Sequence, residues 1–123
     1  MLIYTSYFGK LKTLPKDVVP IAICGKSPDW YKGIRYKKLA PKFNFFQEWK
    51  KTGDNDYYIE HFNKEVLEPL DAAVVYEELE SLCDGWACAL ICYERPEAFC
   101  HRHLVAEWLE TNLNINKIEE WKN

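Results

Sequence analysis

What this chain lacks narrows its possible roles. No apolar run approaches the roughly 20 residues needed to span a bilayer. Met1-Leu2-Ile3 leads directly into Tyr4-Thr5-Ser6, without the zones of a signal peptide. No membrane association is expected, and the expected location is the cytoplasm. Basic charge is not in surplus: 16 Lys and Arg stand against 19 Asp and Glu, a formal net charge of −3. That leaves no global footprint for nucleic acid or an anionic surface, and any such contact would need a local basic patch. There is no Walker motif, no G-x-G-x-x-G, no G-x-S-x-G and no C-x-x-C. Internal repeats and low-complexity segments are absent as well. The five cysteines are odd in number and three sit in apolar surroundings, which fits a reduced compartment better than a disulfide framework.

What is present suits one folded domain over residues 1–123. The chain is 48% hydrophobic and 15% aromatic, too apolar for disorder and too short for two cores. Its organising stretch is Ala87 to Leu109. The unbroken apolar run Ala87–Cys92 reads as a strand buried on both faces. A polar break, Tyr93-Glu94-Arg95-Pro96-Glu97, follows. Leu104, Val105, Trp108 and Leu109 then share a face at the helical period.

In chain order, Leu2–Phe8 and Val18–Cys24 read as strands, with Pro20 suggesting a bulge or an edge position. Their connection is short for a parallel crossover, so the pairing of these two strands is left open. Pro28–Pro41 reads as a basic, aromatic loop across the top of the sheet. Helices are expected over Phe43–Lys50, over Asp56–Leu67 with Ile59, Phe62, Val66 and Leu67 inward, and from an Asp71 cap to about Leu82 with Val75, Leu79 and Leu82 as its apolar stripe. Asp84-Gly85 marks a stop, and Lys117–Trp121 a final edge strand. The expected fold is an α/β layered sandwich, with a small, mostly parallel sheet flanked by helices.

In open α/β sheets ligands bind outside the carboxyl ends of strands. Three such ends carry polar groups here: Thr5-Ser6-Tyr7, Cys24-Gly25-Lys26-Ser27 and Cys92-Tyr93-Glu94. Cys100-His101-Arg102-His103 sits at a helix start, where cations are unfavourable and an anion would be welcome. Cys100 is the candidate nucleophile, since a thiol in that setting should ionise early; a small core residue is the alternative. Glu94 is a candidate general base, or a carboxylate that holds Arg102. Arg102 is the candidate anion ligand; an ion pair with Glu94 or Glu97 is the alternative. His101 should point inward and His103 outward. Thr5, Ser6, Lys26, Ser27 and Tyr93 complete the ligand-binding set. Cys88 and Cys92, on one face of the buried strand, read as inert. Residues two apart on a helix point to different sides, so no metal site is expected, and no cofactor is implied.

Leu90-Ile91-Cys92-Tyr93-Glu94, Pro96-Glu97, Cys100-His101-Arg102-His103-Leu104 and Trp108-Leu109 together resemble the signature of the domain of unknown function 488 family. Tyr4-Thr5-Ser6 is similar to that family's first strand end. The Trp30-Tyr31 loop and the Phe45–Phe62 helices resemble a compact branch, without most of the first helix and a middle insertion of longer members. The resemblance implies an α/β sandwich and no particular reaction. Two functions are expected to compete. One is an enzyme acting on a phosphate-bearing small molecule or nucleotide through Cys100 or Glu94. The other is a binding module for nucleotide or nucleic acid, stacking bases on Trp30, Tyr31 and Tyr36 with Arg35, Lys37 and Lys38 on the backbone. A purely structural motif is the third reading.

Overall fold

The computed structural model describes residues 1–121. Its sheet has five strands: β1 Ile3–Tyr7, β2 Val18–Ala22, β3 Ile34–Arg35, β4 Ala87–Cys92 and β5 Glu119–Glu120. Their spatial order is β3-β2-β4-β1-β5, and every pairing is parallel. The open question about the first two strands resolves simply. They are parallel but not neighbours, because β4 lies between them, with Tyr7 opposite Cys92 and Ala22 opposite Ile91. A β1-to-β2 link that skips a strand runs largely as a 3-10 turn, Phe8–Thr13. Pro20 sits at an open edge, as expected: it faces Ala89 of β4 on one side, and β3 joins the other side of β2 only from Ile21 onward.

β4 is central, and all its residues from Cys88 to Cys92 are buried. Side chains alternate across it as strand geometry requires. Cys88, Leu90 and Cys92 enter the larger core with the helices, whereas Ala89 and Ile91 join a smaller core with Phe8, Val18 and Tyr31. The helices α1 Phe43–Thr52, α2 Asn55–Phe62, α3 Ala72–Leu82 and α4 His101–Asn112 all contribute to the larger core. The architecture is therefore a small α/β sandwich, as expected, with its sheet wholly parallel. None of the described helices is long and apolar enough to cross a membrane.

Local chemistry explains most boundaries. Asp54 caps α2 through Tyr57 N–H, and Asp71 caps α3 through Ala73 and Val74 N–H. α1 ends at Gly53 in the left-handed region (φ 69°), and α3 runs out into Asp84 (φ 53°) and Gly85 (φ 76°). Differences from expectation are local. α2 passes into a π-helical turn, Asn63–Leu67, and its inward residues are Tyr58, Phe62, Val66 and Leu67, with Ile59 only half-buried. Leu82 at the end of α3 is exposed rather than inward. The loop after Pro28 also forms a short strand, because Ile34–Arg35 pairs with the open edge of β2.

Candidate functional site

The C-terminal ends of β2 and β4 and the start of α4 converge on a pocket of about 1200 Å³. Cys24, Gly25 and Lys26 line it after β2, and Cys92, Tyr93 and Glu94 at the end of β4. Phe99, Cys100 and His101 line it at the start of α4, and Phe43, Phe46, Trp49, Lys50 and Tyr58 from α1 and α2. Much of the wall is aromatic: Trp49 packs on Tyr58 and Phe99 at ring separations of 5.2 and 5.7 Å. Lys50 sits over the Phe46 ring at 5.4 Å. Tyr93 fixes the β2 loop by donating its hydroxyl to the Lys26 carbonyl at 2.5 Å.

Cys100 is the N-cap of α4, with extended backbone, and its side chain caps nothing. Its thiol lines the pocket instead. The donor atoms of Cys92, Cys100 and His101 lie within 4.8 Å of one another, and all three residues are buried. His101 Nε2 lies 2.7 Å from the Ile23 carbonyl oxygen, which can only accept, so Nε2 carries a proton. Nδ1 is then the free nitrogen, 4.0 Å from Cys100 Sγ. Cys100 is held far below an ordinary thiol, first by the neighbouring Cys92 thiol and then, against the cost of burial, by His101 and the Arg102 charge. Cys92 is driven the other way, first by burial and then by its hydrogen bond to Cys100 and that group's charge. The two neighbouring thiols are thus pushed in opposite directions, Cys100 down and Cys92 up. Cys88, two repeats of the pleat away, is pushed up to about 12, first by burial and then by Cys83.

A metal ion would need lone pairs aimed at one point. Cys92 Sγ is almost equidistant from the two ring nitrogens of His101, at 3.8 and 3.6 Å, and so lies over the ring face. Nε2 is already committed to Ile23. Nδ1 is the ring nitrogen that remains, 3.8 Å from Cys92 Sγ and 4.0 Å from Cys100 Sγ, so these three donors are a group that could hold a metal ion. The same donors suit proton and thiol chemistry.

The expected site residues divide into two groups. Cys100, His101, Glu94, Lys26 and Tyr93 meet at the pocket. Arg102, Thr5 and Ser6 do not line it. Arg102 is fully buried and paired with Glu120, Nε to Oε1 at 3.1 Å and Nη2 to Oε2 at 3.0 Å. Neither Glu94 nor Glu97 is its partner. Thr5 donates to the same Glu120 oxygen at 2.6 Å, and Ser6 to the Trp121 carbonyl at 3.2 Å. Ser27 accepts from Arg35 Nε at 2.7 Å. His103, expected to be solvated, is half-buried, and its Nε2 has no partner among the described residues. The stacking trio does not form either: Trp30 is exposed, but Tyr31 and Tyr36 are buried, Tyr36 bonded to Glu78.

Sequence reasoning missed Cys92 and the aromatic wall. The signal for Cys92 was present, because a period of two along β4 puts residues 88, 90 and 92 on the face that meets the helix after the loop. The wall had no such signal, since it depends on how α1 and α2 pack.

A family model described as Active DUF488-N3 subclade (DUF488-N3a) matches residues 7–113. No curated protein and no solved structure matches the chain.

Proposed function

This chain belongs to the DUF488 family, and from that premise and the geometry of its pocket we propose that it is a thiol-dependent enzyme with Cys100 as nucleophile. The observation that carries the reading is the cluster of Cys92, Cys100 and His101, their donor atoms within 4.8 Å of one another, on the lining of a pocket open to a small molecule; the lowered pKa of Cys100 supports it. Buried thiols without such partners rise in pKa and become inert, as Cys88 does. His101, fixed as the Nε2 tautomer, accepts the Cys100 proton at Nδ1 and can return it to a leaving group. Glu94, half-buried on the wall, is placed to handle a substrate proton.

The substrate we assign is a small molecule with a planar or apolar part against Phe46, Trp49 and Phe99, and an anionic part. Phosphate, as in a nucleotide, answers to Lys26 and Lys50, the two cationic side chains on the lining. Arg102 is not a substrate ligand in this reading, because it is buried off the pocket and paired with Glu120; its charge acts only on the Cys100 thiol.

The test is alkylation by iodoacetamide, followed by intact mass from about pH 5 to pH 9, with peptide mapping of the modified residue. Cys100 is expected to react first, at a rate that holds well below the pH at which a free thiol fades, and Cys100→Ser should remove that phase. A Cys100 rate that falls off like a free thiol's would sink the proposal. Inorganic phosphate and nucleotides in a thermal-shift assay then test the anionic part. A ligand at 100 times its dissociation constant stabilises by about 2.7 kcal/mol, and the shift should shrink in Lys26→Ala and Lys50→Ala.

A further inference from the structure

A single nucleophile needs one thiol, and the pocket floor holds two. Cys92 ends β4 on the face turned towards α4, and Cys100 opens that helix. The stretch between them, Tyr93–Phe99, is irregular, which lets the two ends adjust. Their sulfurs lie within 4.8 Å, so bonding distance is reached by side-chain rotation and a small loop shift. Cys24 also lines the pocket but falls outside this cluster, its Sγ directed to the Lys26 carbonyl.

We propose that Cys92 is the resolving thiol of Cys100, making the site a two-electron dithiol centre that reduces a small-molecule disulfide whose anionic end meets Lys26 and Lys50 as it enters the aromatic pocket. The inference rests on Cys100 being the nucleophile and supplies the class of reaction. In the first step the Cys100 thiolate attacks one sulfur of the disulfide. A Cys100–substrate S–S bond forms, the substrate's own S–S bond breaks, and the departing thiolate takes the proton that His101 Nδ1 had accepted from Cys100, which leaves Nδ1 free. In the second step Cys92 gives its proton to His101 Nδ1 and attacks Cys100 Sγ. The Cys92–Cys100 bond forms and the second substrate thiolate leaves with that proton. Two electrons pass from the protein dithiol to the substrate, and an external thiol resets the site.

The electrostatics order these steps. While Cys100 is anionic, its charge helps hold Cys92 protonated, so the two thiols do not compete as nucleophiles. Once Cys100 is bonded to substrate that charge is gone. Cys92 can then ionise against His101, whose ring it already touches.

The test uses oxidised glutathione on the reduced chain, followed by acid quench, thiol counting under denaturing conditions and peptide mapping. Wild type should lose two of its five thiols, fall in mass by two hydrogens and yield a Cys92–Cys100 crosslinked peptide. Cys92→Ser should instead accumulate one glutathione on Cys100, and Cys100→Ser should do neither. If wild type keeps glutathione on Cys100 as long as Cys92→Ser does, or crosslinks Cys24 to Cys100, the role of Cys92 is overturned. The nucleophile reading would survive that result if Cys100 still alkylates at low pH. If Cys100 neither alkylates there nor takes up glutathione, both readings fall. The wild-type peptide map decides the matter even if Cys92→Ser does not fold.

Discussion

At Arg102 a guanidinium with no exposed surface closes on Glu120 through two bonds, while Thr5 takes up a further place on the same carboxylate. Removing one partner of such a pair leaves the other charge buried and alone, which costs about 3–5 kcal/mol. Arg102→Ala is expected to lower the urea midpoint by that order. Arg102→Met combined with Glu120→Leu should recover most of the loss, because neither charge is then stranded. Additive losses in the double variant would show that the pair does not act as a unit. Two positions away, the Cys100 thiolate depends first on the bond from Cys92. Cys92→Ala should therefore move the pH midpoint of Cys100 alkylation upward, and Cys88→Ala should leave it in place. Equal effects of the two substitutions would mean that general packing, not the Cys92 thiol, sets the ionisation.

At the scale of elements, the two ends of the helical layer are built differently. α3 starts on Asp71, whose carboxylate takes two backbone N–H groups. Asp71→Ala should cost about 1 kcal/mol in global stability by denaturant titration, the usual worth of such a cap. α4 has no side-chain cap and no acidic residue in its first turn. That lapse, visible at Cys100-His101-Arg102 in the sequence, pointed correctly to a place where local rules give way. Caps and periodicity made α1, α3, β4 and α4 legible, because each signal lies within a few residues of its effect. The partner of Arg102 was not legible, because Glu120 comes from an edge strand fixed only by pairing Tyr4 with Glu119 and Thr5 with Glu120. β3 escaped for the same reason: Ile34–Arg35 carries no strand pattern and is held by the free edge of β2. The first two strands kept their expected places while their neighbour relation was hidden, since β4 inserts between them from more than sixty residues away.

For the molecule as a whole, α4 lies over the central strand, and its polar first turn is folded into the core that holds the sheet together. A titrating group in that turn therefore reports on global unfolding. His103 is one such group, beside Cys100 and His101: burial, and then the Arg102 charge beside it, lower its pKa below the ordinary 6.5. Above about pH 6.5 it is neutral folded and unfolded, and contributes no pH dependence. Below that value the unfolded chain takes up a proton that the native chain resists, so stability falls as pH falls towards the native pKa. The slope for one such group approaches about 1.4 kcal/mol per pH unit. Free carboxylates titrate mostly below this range, near pH 4. Thermal denaturation between about pH 7.5 and 5.5 should thus show a falling midpoint in wild type and a flatter profile in His103→Gln, which cannot take up the proton. An unchanged slope in His103→Gln would place the proton uptake elsewhere in the fold.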